Sequence, residues 1–254
     1  MSTWILLRGL TREGRHWGTF PKQLLMSEGF DADRVTLVDL PGNGRENELS
    51  APHSVADMVT FVRSRAASAG VKPPYRLLGM SLGGMVATDW AQRFPQEVER
   101  LVLINTSMRP FCATSERLRM VAWPQLLRAT TMWADPLQCE GIIHGLTCNR
   151  VDSFDEDLVA WTTIRRTAPV SATNALRQLW AAARFHADQR PPRCPTLLLS
   201  STADKLVHPV CSERIAGRWG AAHVQHPWAG HDLPHDDPAW TAKAIAEWLH
   251  TLTE

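Results

Sequence analysis

No stretch of this chain approaches about eighteen uninterrupted apolar residues, so no membrane-spanning helix is expected. The first apolar run, Trp4 to Leu7, stops at Arg8 and Gly9, too early for the core of a secretory signal, and a cytoplasmic location is the expectation. Cysteine is sparse as well. Cys112, Cys139, Cys148, Cys194 and Cys211 form no C-x-x-C pair and are odd in number, which excludes a disulfide framework and leaves buried or idle thiols as the expectation, with no metal and no cofactor. A net charge of +1 favours neither nucleic acid nor a membrane surface as partner. Internal repeats and low-complexity tracts are absent. Tyrosine is nearly so, with one against eleven tryptophans. Six of those tryptophans (Trp90, Trp123, Trp133, Trp161, Trp180 and Trp219) fall on helix-patterned stretches and read as packing. Trp123 and Trp133 are also candidates to line a substrate pocket.

What is present is enough for one large core plus an insertion: 254 residues, 44% hydrophobic. Short Val, Leu and Ile runs alternate with helical patterns at Trp4 to Leu7, Val35 to Val38, Leu77 to Met80, Leu101 to Ile104, Thr196 to Leu199 and Val224 to Trp228. That rhythm predicts an α/β fold, a mostly parallel sheet covered by helices on both faces. It breaks between Asn105 and Pro195, where helical pattern is punctuated by Pro110, Pro124, Pro136 and Pro169. Residues 107–190 therefore read as a helical cap inserted into a core made of residues 1–106 and 191–254.

Gly79-Met80-Ser81-Leu82-Gly83 lies between a strand pattern and a helix pattern, and this junction makes Ser81 the candidate nucleophile. A serine in a tight strand-to-helix turn needs neighbours without bulk, which the glycines supply. The helix start aims unpaired N–H groups and partial positive charge at the spot where an oxyanion would form, so the Leu82 N–H is one candidate donor. A second should come from the loop after the first strand, where Gly9 allows close approach and the Leu10 N–H is the candidate.

A serine hydroxyl needs a base, and the base an orienting acid. In an open parallel sheet both should follow strands. His231, in the loop after the last strand and before a helix near Pro238, is the best-placed base; His235 reads as part of the start of that helix. His16, His53, His186, His208, His223, His226 and His250 fall in helical, strand or surface contexts and read as structural. Asp204 follows the Thr196 to Leu199 strand, and the interval to His231 accommodates one helix, about Pro209 to Trp219, and one strand. Asp39 is the rival carboxylate, but its Leu40-Pro41-Gly42-Asn43-Gly44 setting is turn chemistry. Asp232, beside the base, is expected to be solvated.

With these segments in place (Asp39 to Gly44, Gly79 to Gly84, Asp204 to Val207, Gly230-His231), the chain resembles the α/β-hydrolase superfamily over nearly its full length. Within it, the chain is similar to compact serine esterases of the pimeloyl-carrier-protein methyl ester esterase type. The resemblance implies a Ser81, Asp204, His231 triad, the Leu10 and Leu82 N–H groups as oxyanion hole, and a helical lid between the sixth and seventh strands of the fold. Two positions depart from the pattern: Arg8-Gly9 where the family usually has His-Gly, and Gly42-Asn43-Gly44 where it usually has Gly-His-Gly.

The expected activity is hydrolysis of carboxylic esters of small to medium acyl groups through an acyl-enzyme. An alternative is an ester or thioester carried on acyl carrier protein, a partner for which the many arginines of residues 107–190, a segment without lysine, would offer phosphate or carboxylate forks. Carbon–carbon bond hydrolases and perhydrolases use the same triad, and a non-catalytic small-molecule receptor on the same fold is the alternative of another class.

Overall fold

A computed structural model describes residues 2–28 and 34–252. Six strands form a single sheet: β1 (Trp4–Leu7), β2 (Val35–Leu37), β3 (Tyr75–Met80), β4 (Val98–Ile104), β5 (Thr196–Ser201) and β6 (Ala222–His226). Their order is β2-β1-β3-β4-β5-β6 and every pairing is parallel. The intervening helices are α1 (Phe20–Glu28), α2 (Val55–Ser68), α3 (Leu82–Arg93), α4 (Thr114–Arg117), α5 (Trp123–Thr131), α6 (Pro136–Thr147), α7 (Phe154–Thr167), α8 (Ala172–Arg184), α9 (Val210–Trp219), α10 (Leu233–Asp236) and α11 (Pro238–His250).

The central strands β1, β3, β4 and β5 are mainly apolar because both faces of the sheet are covered there. Ile5, Leu7, Leu77, Leu101, Leu103 and Leu198 pack one way, against residues of α2, α3 and α9 such as Val62, Val86, Trp90 and Ile215. Their immediate neighbours Leu6, Leu78, Val102, Ile104, Leu197 and Leu199 pack the other way, against Phe20 and Leu24 of α1 and Ile245 and Trp248 of α11. The period of two along these central strands thus feeds two separate cores.

β6 ends at His226 rather than at Trp228, because Pro227 has no N–H to donate to a ladder and the chain turns there, with His226 Nδ1 accepting from the Ala229 N–H at 2.9 Å. It begins earlier than its apolar residues suggest, at Ala222 and His223, whose imidazole bonds Ser200 Oγ at 2.8 Å. β4 likewise starts at Val98, with the polar Glu99 and Arg100 at its half-buried entry. Trp133 lies in the turn after α5, not on a helix.

Five helices, α4 to α8, fill the chain between β4 and β5, joined there by an isolated bridge between Arg109 and His186. With six strands among the described residues, this segment falls between the fourth and fifth. Buried polar side chains of α8 fasten it to the loops after β1 and β2. Asn174 accepts from the Ala51 N–H and donates to the Leu49 carbonyl, both at 2.9 Å. Gln178 accepts from the Thr11 N–H at 2.9 Å and donates to the Pro41 carbonyl and to Asn43 Oδ1. Asn43, the departure within Gly42-Asn43-Gly44, is fully buried and donates in turn to the Arg12 carbonyl at 2.9 Å. Each of these amides is satisfied, as burial demands.

Candidate active site

β1 leads to β2 on one side and β3 lies on the other, so the crevice outside the strand ends opens between β1 and β3. Ser81 stands at that point, at φ +53° and ψ −117°, a backbone conformation that L residues rarely adopt. The turn survives because there is no room for anything larger beside it. A Cβ on Gly79 would lie 2.3 Å from the Gly83 carbonyl oxygen, and one on Gly83 would lie 2.2 Å from that of Leu7. The Ser81 N–H donates to the Ile104 carbonyl at 2.9 Å, and Thr106 Oγ1 donates to the Ser81 carbonyl at 2.7 Å, so the end of β4 holds the turn from both sides.

Gly9 lies against the serine: a Cβ there would be 3.2 Å from Ser81 Cβ and 3.7 Å from its Oγ. The neighbouring Leu10 N–H and the Leu82 N–H at the start of α3 make no hydrogen bond within the described chain. Both belong to residues that adjoin the serine turn, Leu10 through Gly9 and Leu82 at a helix N-terminus.

Across the site, His231 Nδ1–H donates to Asp204 Oδ2 at 2.7 Å, with both residues buried. The other Asp204 oxygen accepts from the Leu206 and Val207 N–H groups at 2.7 and 2.9 Å, which fixes the carboxylate's orientation. Asn105 joins this pair to the serine turn. It directly follows the Ile104 carbonyl that holds Ser81, sits at φ +45°, and donates to the His231 carbonyl at 2.8 Å and to Ser201 Oγ at 3.1 Å. Its own Oδ1 accepts from the Ser201 N–H at 2.9 Å. Ser81 Oγ and His231 Nε2 do not hydrogen-bond to each other in this arrangement. Neither Asn105 nor Thr106 is signalled by a motif; the cue available in sequence is a polar Asn-Thr-Ser run directly after an apolar strand.

A family model, "Alpha/beta hydrolase family", matches residues 4–244. The chain belongs to the α/β-hydrolase family. This α/β hydrolase is 26% identical over 97% of its length to a protein of Caulobacter sp. named putative carbamate hydrolase RutD, covering 90% of it. It is 27% identical to a pimeloyl-[acyl-carrier protein] methyl ester esterase of Chromobacterium violaceum, over 85% of this chain and 84% of the relative. Among solved structures, a thermophilic esterase from Thermogutta terrifontis superposes with a TM-score of 0.76 at 23% identity, over 99% of this chain and 90% of that one. That likeness concerns the fold.

Arg8, where the sequence departs from the pattern it resembles, has a specific partner in the structure. Arg8 forks onto Asp232, with Nη1 2.9 Å from Oδ1 and Nη2 against Oδ2, and also touches Met80 Sδ at 3.3 Å. The expectation of a solvated Asp232 is therefore corrected: it is buried against a buried guanidinium. Burial by itself would raise the Asp232 carboxyl, but the charge and hydrogen bonds of Arg8 outweigh it and hold the group below its ordinary value. One ion pair thus contacts the residue before Ser81 and contains the residue after His231.

His235 also has a different place from the one expected. It lies in α10, donates toward Asp157 Oδ2 at 2.9 Å, and leaves the start of α11 to Asp237, which accepts from the Trp240 N–H. Asp39 accepts from the Gly14 and Arg45 N–H groups at 2.7 and 3.0 Å, a turn-holding role. Trp133 donates to the Val170 carbonyl at 3.2 Å and lies under Arg165, whereas Trp123 opens α5 half-exposed. A cavity of about 300 Å³ lined by Pro191, Pro195, Thr196, Trp219, Ala222 and Trp248 sits at the amino ends of β5 and β6, away from Ser81.

Proposed function

We propose that this protein is a serine hydrolase that cleaves carboxylic esters of small to medium acyl groups, with Ser81, His231 and Asp204 as its triad. The observation that carries this reading is the buried 2.7 Å bond from His231 to Asp204, on the same sheet edge as a serine held at positive φ. Asp204 orients the ring so that Nε2 faces the serine and stabilises the imidazolium that forms when Ser81 gives up its proton. Ser81 Oγ then attacks the ester carbonyl, and the developing oxyanion is met by the free N–H groups of Leu10 and Leu82. The imidazolium protonates the leaving alcohol, and the same histidine activates water to release the acid. Contact between Ser81 and His231 need only close once substrate is bound, since catalytic hydrogen bonds tighten in the reacting complex.

In this reading residues 1–106 and 191–254 are the core and 107–190 the cap over the site. Arg119 supports that placement: its N–H bonds the Leu206 carbonyl, and its guanidinium bonds the carbonyl of Asp204. Trp123 and Trp133 are the pocket candidates for an apolar acyl chain, joined by Met120, which follows Arg119 and is exposed like Trp123. An acyl group carried on acyl carrier protein is a second reading, favoured by the exposed Arg109, Arg128, Arg166 and Arg184 of this segment and by the names of relatives. It predicts a kcat/KM on carrier-bound ester that falls steeply with salt, which free esters would not share.

The deciding experiment is labelling with a fluorophosphonate probe alongside hydrolysis of p-nitrophenyl esters graded by acyl length. The adduct should form on Ser81, and Ser81→Ala should lower kcat by at least about 10⁴-fold. An unlabelled wild-type protein that still binds ester would favour the receptor reading, and a Ser81→Ala variant that still hydrolyses would end this one.

A further inference from the structure

Outside the triad, three metal-ligating side chains converge where α6 meets α10. Cys148 caps the end of α6 in an extended conformation, with its N–H bonded to the His144 carbonyl one turn back at 2.8 Å. His235 reaches them from α10, and the ligand atoms of all three lie within 4.8 Å of one another. In a tetrahedral zinc site such atoms are about 3.3–3.6 Å apart, so the group needs to close by at most about 1.5 Å, within the reach of side-chain rotation.

We propose that His144, Cys148 and His235 bind one zinc ion, which clasps α6 to α10. A thiol with two imidazoles is a borderline-soft donor set, suited to zinc and ill-suited to calcium or magnesium. The surroundings complete it. Asp157 of α7 places Oδ2 2.9 Å from His235 Nε2 and 3.2 Å from His144 Nε2, and is itself held by Ser153 Oγ at 2.6 Å. A carboxylate that orients ligating histidines is the usual second layer of such a site. Phe154 and Trp161 wall the His144 ring at 5.0 and 5.1 Å, while His235 and Asp157 keep 10% and 14% of their side chains exposed, leaving a way in. Binding displaces the Cys148 thiol proton to solvent; the thiolate and the Asp157 carboxylate then balance the two positive charges, with both imidazoles neutral. Among the described residues, the buried Cys148 sulfur has Thr147 Oγ1, at 3.7 Å, as its one hydrogen-bond partner.

The ligands are 87 positions apart between Cys148 and His235, the same separation as between Asn149 and Asp236, which are hydrogen-bonded beside them. Cysteine spacing alone therefore held no sign of the site. The clasp would join the α6–α7 pair to the loop that carries His231, four residues before His235.

The test uses the full chain, stripped with chelator and titrated with Co²⁺. One equivalent should bind with tetrahedral d–d bands and a thiolate-to-cobalt charge-transfer band, and Zn²⁺ should displace it. Cys148→Ser should abolish the charge-transfer band, Asp157→Asn should weaken binding by about 10- to 100-fold, and Cys139→Ser should change neither. Absence of one-to-one uptake, a wild-type spectrum without the thiolate band, or a band that survives Cys148→Ser would overturn the proposal. The wild-type spectrum decides without any variant, and none of these readings depends on hydrolysis.

Discussion

Asp204 spends one carboxylate oxygen on two backbone N–H groups and the other on His231 Nδ1, leaving the side chain no freedom to turn away. An asparagine of the same shape could accept from those N–H groups, but its amide could not stabilise an imidazolium and would favour the wrong tautomer of His231. Asp204→Asn is expected to keep the fold, measured by circular dichroism, and to lower kcat for ester hydrolysis by about 10⁴-fold. Full activity in that variant would remove Asp204 from the mechanism. Asn105 works at the same scale. With His231, Ser201 and the Gly230 carbonyl all on one side-chain amide, it holds the loop of His231, the proposed base.

The loops after β1 and β6 meet through Arg8 and Asp232, and they do so in the interior. Removing one partner of a buried pair leaves the other charge unsolvated, so Arg8→Met should cost about 3–5 kcal/mol of unfolding free energy in urea titration. Arg8→Met with Asp232→Leu should recover most of that loss, because neither buried charge remains. A single variant as stable as the wild type would mean that the pair is not shielded from water. The segment between β4 and β5 is anchored by similar contacts. Glu140 of α6 takes Arg12 Nη1 at 2.6 Å and Arg165 Nη1 at 3.2 Å, tying two of its helices to the loop that follows Leu10.

For the molecule as a whole, acid is the weak direction. His16 is buried, and that burial, together with the charges of Arg12 and Arg8, pushes its pKa well below the ordinary 6.5. The folded protein therefore keeps this ring neutral where the unfolded chain takes up a proton. The resulting stability is present in full above pH about 6.5 and is lost as pH falls from there toward the folded-state value, by up to about 1.4 kcal/mol per pH unit. The unfolding temperature should hold level from pH 8 to 7 and drop between pH 6.5 and 5. His16→Asn should flatten that drop; an unchanged slope would assign it to other groups. Among the described residues no helix is long and apolar enough to cross a membrane.

Much of this was written locally. Apolar runs of four or five residues prescribed a parallel sheet, and the glycines around Ser81 prescribed its turn, because both signals come from the steric needs of neighbours in the chain. The candidates Ser81, Asp204 and His231 could be picked out because each follows a strand. Sequence could not supply the partners. Arg8 finds Asp232 across 224 positions, and Asn105 finds His231 across 126. Such contacts depend on which loops converge at one edge of the sheet, and loop side chains carry no period that announces their neighbours. Tertiary structure alone decided that Asp232 is buried rather than solvated, that His235 turns toward Asp157, and that His144 and Cys148 face it.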